Sequence, residues 1–129
     1  MQIKRKGIYL ADLGEREDSS VECGIRPVLV LQNNMGNKYS PTVIVAPITT
    51  KLKKHNLPTH INFTNPALER NSMVLLEQIQ TVDKSRLTDY KGDATEGEMN
   101  KIERAVHISL GMHFEGEENE RNRNENTAG

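Results

Sequence analysis

The sequence lacks tryptophan and has few other aromatic residues. It contains two phenylalanines and three tyrosines among 129 residues, so a hydrophobic core must be built mainly from valine, isoleucine, leucine and methionine. A chain of this length has the usual size of one domain and leaves no room for a separate catalytic module. These features predict a small barrel or sandwich with a helix, without a large, deep pocket.

Cysteine is almost absent as well. Cys23 is the only one, so no disulfide can form within the chain, which favours a reducing compartment. The sequence has no run of about 18 apolar residues, and its start, MQIKRKGIYLADL, has no apolar segment long enough for a signal peptide. We therefore expect a soluble cytoplasmic protein.

Motifs for metal, nucleotide and serine-hydrolase chemistry are also missing. A glycine-rich phosphate loop followed by lysine does not occur, and neither does a hydrolase-type serine motif. The potential metal ligands show no recognisable spacing; they are His55, His60, His107, His113 and Cys23. We expect no metal and no cofactor. A functional role stays open for His60, which in THINF would face away from Ile61 and Phe63.

The charge is distributed unevenly along the chain. The net charge is −1, whereas the last fifteen residues, EGEENERNRNENTAG, contain five glutamates and two arginines, a charge of −3. Residues 1–114 are therefore mildly basic, with a charge of +2. The tail has too few apolar residues to offset the entropy of ordering it, and we predict that residues 115–129 are a disordered acidic and polar tail.

Alternating or continuous apolar residues predict five strands of an antiparallel sheet. These strands cover residues 7–13, 27–32, 42–48, 59–63 and 72–82. Residues 14–24 contain two glycines and no periodicity, which predicts a long surface loop. Pro27 fits the first position of its strand, and Pro47 requires a bulge or a strand at the edge of the sheet.

The connector NNMGNKYSP joins the second and third strands. Its asparagines and glycine tolerate positive φ, which predicts a hairpin with an elaborated turn. After Thr95 the pattern becomes helical, and Thr95 with Glu98 has the form of a capping box. The apolar positions of this predicted C-terminal helix are Met99, Ile102, Val106 and Leu110, with His113 following at the same spacing.

The two ends of segment 24–50 carry residues that could bind a phosphate. Arg26 has a planar, charged fork that matches phosphate oxygens, and the following proline restricts its backbone. The simpler alternative is a salt bridge from Arg26 to a carboxylate such as Glu22 or Glu77. Thr49 and Thr50 are equally consistent with ordinary residues at a strand end, and the residues alone leave both alternatives open.

Four strings of the sequence form a recognisable series: RKGIYLADL, GIRPVLVLQNNMGNKYSPTVIVAPIT, LPTH and LLEQIQTVDKSRL. These strings resemble the MazF/PemK-like toxins of bacterial toxin–antitoxin systems. They follow one another in the family's order from about Lys4 to Met112, and they resemble the toxins of low-GC Gram-positive bacteria. The resemblance implies a toxin domain over residues 1–114.

The resemblance implies a small SH3-like or CcdB-like β-barrel that forms a homodimer and binds an antitoxin peptide. It further implies a sequence-specific, metal-independent endoribonuclease of single-stranded mRNA. In the family, the ribose 2′-hydroxyl attacks the adjacent phosphate and leaves a 2′,3′-cyclic phosphate and a 5′-hydroxyl. The family's catalytic arginine matches Arg26, with charge stabilisation and proton donation to the leaving 5′-oxygen as its roles. The catalytic threonine matches Thr49.

Further positions match the family's RNA-binding residues. Glu77 and Gln78 match its EQ pair, which the resemblance assigns to RNA contact and base recognition. Ser20 and Ser72 match positions that border the RNA groove, although a loop turn and a strand-end cap explain them equally well. The basic segment KLKKH, residues 51–55, is consistent either with steering of backbone phosphates or with a solvated loop.

The sequence departs from the family at two places. Gly7 replaces the acidic residue of the usual opening motif, and Val21 stands where some members carry a catalytic glutamate. Two alternatives stay open: Glu22, one position later, could compensate, or the enzyme could rely on Arg26 and Thr49 alone.

Two other functions compete with RNA cleavage. The first is a non-catalytic barrel toxin that binds a protein such as DNA gyrase, and the presence of both Arg26 and Thr49 argues against it. The second is a general RNA-binding barrel, which the shortage of aromatic residues for base stacking disfavours.

Overall fold

The computed structural model describes residues 1–51 and 57–112. In this part of the chain seven strands, two α-helices and two 3₁₀ turns follow one another. The strands are β1 (Gly7–Asp12), β2 (Ile25–Val30), β3 (Thr42–Thr49), β4 (His60–Phe63), β5 (Ser72–Leu75), β6 (Gln80–Asp83) and β7 (Leu87–Asp93). The helices are α1 (Asn34–Tyr39) and α2 (Glu96–Ser109), and the 3₁₀ turns are Leu76–Gln78 and Lys84–Arg86.

The strands form one antiparallel sheet in the order β4-β5-β3-β2-β1-β7, and β6 also pairs with β3. Strand β3 lies at its centre because it pairs with β2 on one side and with β6 and then β5 on the other. The prediction of a mainly β chain with a C-terminal helix is confirmed. Neither described helix is long and apolar enough to cross a membrane.

The two prolines occupy positions where a missing amide costs little. Pro47 lies between Val45, which pairs with β6, and Ile48, which pairs with β5. The strand changes partner at this proline, which satisfies the requirement for an irregular position. Pro27 is the third residue of β2 and not the first as predicted, but β3 pairs with β2 only from Val28 onwards.

Two hydrophobic clusters lie on opposite faces of the sheet, because successive side chains of a strand point to opposite sides. We call the one that packs against α2 the helix-side cluster; it contains Ile8, Leu29, Ala46, Ile48, Phe63, Val74, Leu76, Ala94, Met99, Ile102 and Ala105. The far-side cluster contains Ile3, Tyr9, Ala11, Leu13, Val28, Val30, Val43, Val45 and Leu87.

The C-terminal helix begins at the predicted cap. Thr95 accepts a hydrogen bond from the Glu98 backbone, and the Glu98 carboxylate accepts one from the Thr95 backbone. Met99 and Ile102 are buried against the sheet, whereas Leu110 is 59% exposed and does not belong to the core. The predicted helical position His113, the histidine His55 and the predicted tail 115–129 lie outside the described residues.

The structure corrects the expectation of one strand over residues 72–82. The chain forms β5, then the 3₁₀ turn Leu76–Gln78, and then β6. The turn lets the chain leave one stretch of β3 and return to another, because β5 pairs with residues 48–49 and β6 with residues 42–45. Strand β7 was not predicted at all, since most of its residues are exposed and show no alternation of apolar and polar side chains.

The connector between β2 and β3 also differs from its prediction. The two strands do form an antiparallel hairpin, but the connector contains helix α1 instead of a turn built on positive φ. Asn33 caps this helix by accepting a hydrogen bond from the Gly36 amide. Asparagine at this position therefore acts as an N-cap, a role for which its short side chain is also favoured.

Candidate active site

Arg26 and Thr49 lie at the same end of two neighbouring strands. The printed pairing of β2 with β3 ends at Val28 opposite Pro47, and two more residues in this register place Arg26 opposite Thr49. In β2, Arg26 lies two residues before Val28 and so shares the far side of the sheet with it. In β3, the alternation that puts Val45 on the far side puts Thr49 there as well. The fold therefore brings the arginine and the threonine to one end and one face of the sheet.

The guanidinium of Arg26 is held on one edge and open on the other. Its Nε donates to the carbonyl oxygen of Cys23 at 2.7 Å and lies 3.0 Å from Oε2 of Glu22. The salt bridge to Glu22, which was the simpler alternative, is therefore present, while Glu77 pairs elsewhere. Within residues 1–51 and 57–112, the side-chain hydrogen bond of Arg26 is the one made by Nε, and none involves an Nη atom. The free Nη edge presents two N–H groups in the geometry that suits two phosphate oxygens.

Thr49 is the last residue of β3 and is only 1% exposed. Its Oγ1 accepts a hydrogen bond from the Lys51 amide at 3.1 Å, which leaves the hydroxyl hydrogen available for donation. The Thr49 hydroxyl is therefore largely shielded from solvent in this structure. Of the basic segment 51–55, only Lys51 belongs to the described residues.

The loop that precedes Arg26 is closed at its base and anchored near its tip. At the base, the Leu13 amide bonds the Gly24 carbonyl and the Gly24 amide bonds the Gly14 carbonyl. Near the tip, Oε1 of Gln78 accepts from the Glu22 amide at 2.7 Å, and Nε2 of Gln78 donates to the Ser20 carbonyl at 3.2 Å. The side chain of Gln78 thus connects the 3₁₀ turn to the residues next to Arg26.

Glu77 belongs to a separate group of polar side chains. Its Oε2 accepts from the Thr59 hydroxyl at 2.9 Å, and its Oε1 lies 2.8 Å from Nε2 of His60. The His60 side chain is only 6% exposed, and its Nδ1 accepts from the Leu57 amide. Both oxygens of Glu77 are therefore used to hold the start of β4, and RNA contact by Glu77 stays a prediction.

Ser20 and Ser72 lie apart from each other. Ser20 is on the loop, where its carbonyl meets Gln78. Ser72 is buried, and its hydroxyl donates to the Arg70 carbonyl at 2.8 Å. It lines a cavity of about 410 Å³ with Thr50, Arg70 and other residues, and the alternation of β5 puts it on the helix side, away from Arg26. Their roles in RNA binding stay predictions.

No group of three or more histidine, cysteine or acidic residues in the described part of the chain could hold a metal ion. Cys23 is a partly buried free cysteine whose carbonyl, not its thiol, contacts Arg26. Val21 has no carboxylate to offer at the position where some family members carry a glutamate, and its backbone amide donates a hydrogen bond to the Ser19 hydroxyl. The carboxylate next to Arg26 comes from Glu22.

Sequence reasoning missed the way Gln78 holds the loop. Gln78 is 56 residues from Glu22 in sequence, and no periodic pattern can relate positions so far apart. The nearest signal was the polar interruption of the apolar run 72–82, which marks the turn on which Gln78 lies.

Comparison with known proteins identifies the family. Residues 4–110 match the family described as PemK-like, MazF-like toxin of type II toxin–antitoxin system. The chain belongs to this family. It is 44% identical over 113 residues to "Endoribonuclease MazF" of Staphylococcus saprophyticus, a match that covers 86% of the chain and 93% of that protein. It is 46% identical over 114 residues to "Endoribonuclease EndoA" of Bacillus subtilis, covering 87% of the chain and 97% of that protein.

Solved structures of MazF-type toxins share the fold. A mycobacterial endoribonuclease in complex with its cognate antitoxin superposes with a TM-score of 0.73 at 29% identity, covering 87% of the chain and 98% of the mycobacterial chain. MazF of Deinococcus radiodurans superposes with a TM-score of 0.75 at 18% identity, covering 87% and 99%, which shows the fold alone. The predicted barrel-like fold and toxin family are confirmed. The gyrase-binding alternative is not favoured, because the two relatives described above are named endoribonucleases.

Proposed function

We propose that this MazF-type toxin cleaves single-stranded mRNA at defined sequences, with Arg26 and Thr49 as its catalytic residues. The observation that carries the proposal is the open Nη edge of Arg26 at the strand end where Thr49 also lies. The endoribonuclease names of the relatives from Staphylococcus saprophyticus and Bacillus subtilis support the same activity.

Cleavage proceeds through attack of the ribose 2′-oxygen on the adjacent phosphorus. The 2′-hydroxyl loses its proton as the new P–O bond forms, and the 5′-oxygen gains a proton as the old P–O bond breaks. The products are a 2′,3′-cyclic phosphate and a 5′-hydroxyl. Negative charge accumulates on the non-bridging oxygens in between, and donors aimed at these oxygens stabilise the transition state more than the ground state.

Arg26 and Thr49 supply donors of different kinds. The guanidinium keeps its protons at physiological pH and offers a fixed positive charge with two parallel N–H groups. The Thr49 hydroxyl is neutral and desolvated, and its Oγ1 already accepts from the Lys51 amide. A hydrogen bond accepted by a hydroxyl strengthens the one that it donates. Charge stabilisation by the protein itself is consistent with cleavage that needs no metal ion.

The test is cleavage of a defined single-stranded RNA in EDTA, with the ends mapped by primer extension. We expect Arg26→Ala and the isosteric Thr49→Val each to lower kcat by about 10²- to 10³-fold, as removal of one transition-state donor does. A deoxyribose at the cleaved position removes the nucleophile and should abolish cutting. Arg16→Ala is the matched control, since Arg16 is an exposed arginine of the same loop. Full activity of either site variant with unchanged thermal stability would contradict the assignment.

The partners of the toxin follow from the same family. We expect a cytoplasmic homodimer that binds single-stranded RNA and is inhibited by a cognate antitoxin peptide. The mycobacterial relative crystallised with its cognate antitoxin supports the last expectation. Light scattering of the purified protein measures the dimer, and co-purification with the product of a neighbouring gene identifies the antitoxin.

A further inference from the structure

The side chain of Gln78 bridges two segments that are far apart in sequence, and Arg26 lies at the end of this bridge. We propose that Gln78 and Glu22 are positioning residues for Arg26. Gln78 fixes the backbone of the loop at Glu22, and the Glu22 carboxylate then fixes the guanidinium so that its Nη edge faces the phosphate. The proposal rests on the proposed function in one respect, namely that Arg26 binds the scissile phosphate.

The first step is the attachment of the loop to the 3₁₀ turn. Gln78 uses both ends of its amide, accepting from the Glu22 amide at 2.7 Å and donating to the Ser20 carbonyl at 3.2 Å. Two bonds from one planar group fix both the distance and the orientation of the loop backbone. Residues 15–20 are otherwise exposed, so these bonds restrain a segment that has few packing contacts.

The second step is the attachment of Arg26 to the restrained segment. Nε of Arg26 is 2.7 Å from the Cys23 carbonyl oxygen and 3.0 Å from Oε2 of Glu22. The Glu22 side chain is only 10% exposed, whereas that of Arg26 is 32% exposed. A nearly buried carboxylate is screened little by solvent, so its hold on Nε is stronger than that of a surface ion pair.

The third step is the effect on catalysis. An arginine side chain has several rotatable bonds, and fixing Nε in advance removes part of the entropy that phosphate binding would otherwise cost. The carboxylate also offsets part of the positive charge that attracts the RNA. Glu22 therefore raises kcat by orienting the donors needed in the transition state, while its negative charge raises KM by weakening binding of the ground state.

This arrangement assigns Gln78 a role that differs from base recognition. Both ends of its amide are used within the chain before any RNA is bound. A positioning residue affects Arg26 in the free protein, whereas a base-reading residue affects only the complex. Measurements without RNA separate the two roles.

The first experiment observes Arg26 directly by NMR of the ¹⁵N-labelled full-length protein. We expect the Nε–H of Arg26 to exchange slowly with water and to lose this protection in Gln78→Met, which keeps the length of the side chain without its hydrogen bonds. Gln80→Ala is the matched control, because Gln80 is two residues away and its buried Nε2 has no partner within the described residues. Unchanged protection in a folded Gln78→Met would overturn the proposal.

The second experiment is a double-mutant cycle on kcat, KM and Tm. We expect Gln78→Met and Glu22→Ala each to lower kcat by about 10- to 100-fold, the effect of a misplaced catalytic group. Glu22→Gln keeps the shape of the side chain but removes the charge of the ion pair, so we expect kcat between those of the wild type and Glu22→Ala, and a lower KM. In the Glu22→Ala background, Gln78→Met should lower kcat by less than it does alone, but it should still lower Tm.

The outcomes separate positioning from general stability. If the fold-decreases in kcat of Gln78→Met and Glu22→Ala multiply in the double variant, the two residues act independently and the proposal is wrong. The proposal is also wrong if kcat decreases in proportion to Tm across all variants. If the wild-type protein cleaves no RNA, the proposed function fails, while the NMR measurement still decides whether Gln78 and Glu22 hold Arg26.

Discussion

At the scale of single residues, Tyr9 and Lys4 make the stability of the folded protein decrease as the pH rises in the alkaline range. Tyr9 is fully buried, donates to the Gln2 carbonyl and accepts from the Lys4 amide. Burial raises the pKa of Tyr9 above 10.0. The pKa of the Lys4 ammonium is raised above 10.5, first by a hydrogen bond with Tyr90 and then by Asp93. Both groups thus hold their protons more tightly in the folded chain.

A group whose pKa is raised by folding contributes stability that is complete below its unfolded pKa and is lost as the pH rises through the folded one. The free energy of unfolding should therefore fall from about pH 10 upwards. We expect Tyr9→Phe to lower it by about 1–2 kcal/mol at pH 7, through the lost hydrogen bonds, and to make the alkaline decline shallower. Urea titrations at several pH values measure both effects. Tyr39→Phe, at a residue that is 70% exposed, should change neither, and an equal alkaline decline in wild type and Tyr9→Phe would contradict the prediction.

The residues of the candidate site were predictable to different degrees. Arg26 and Thr49 were assigned through the resemblance to the toxin family, because the residues alone left their roles open. Their position at one end of a hairpin follows from the local register of β2 and β3. The salt bridge from Arg26 to Glu22 was foreseen as an alternative because the two residues are four apart. The contacts of Gln78 and Glu77 could not be foreseen, since their partners are brought close only by the complete sheet.

At the scale of elements, helix α2 depends on its first turn. Thr95 and Glu98 exchange hydrogen bonds in a capping box, and Oε1 of Glu98 also accepts from Asn65 at 2.9 Å. We expect Thr95→Ala to lower the free energy of unfolding by about 1 kcal/mol, the usual cost of losing an N-cap. Thermal or urea unfolding followed by far-UV circular dichroism measures the change. Thr88→Ala, at an exposed threonine of β7, is the control, and equal losses in both variants would argue against a specific cap.

The elements that were predicted are those with local signals. Helix α2 has both a cap and a spacing of apolar residues that can be read within fourteen positions. Strand β7 has no such signal, because it is held by pairing with β1, more than 70 residues earlier. The break at residues 76–78 was equally hidden, since the apolar run continues through Leu76, which is buried in the helix-side cluster. Its cause is the change of partner along β3, which is a property of the whole sheet.

At the scale of the whole molecule, the two clusters share the strands that separate them. Strand β2 supplies Leu29 to the helix-side cluster and Val28 and Val30 to the far-side cluster, and β1 divides Ile8 and Tyr9 in the same way. Loss of one cluster removes the support for the backbone that carries the other. The described part of the chain should therefore unfold as one cooperative unit, as small single domains usually do.

Ile102→Ala tests this coupling because Ile102 is fully buried between α2 and the sheet. The cavity should cost about 2–5 kcal/mol, whereas Ile108→Ala, at a residue that is 40% exposed, should cost much less. Far-UV circular dichroism follows α2, and near-UV circular dichroism follows Tyr9 and Tyr90, whose ring centroids are 5.4 Å apart on the far side. In a cooperative unit both signals shift by the same amount, even though the substitution touches only the helix-side cluster. A helix signal that melts before the tyrosine signal would mean that α2 and its cluster unfold separately. The end of β2 and β3 that carries Arg26 and Thr49 would then keep its structure without the helix.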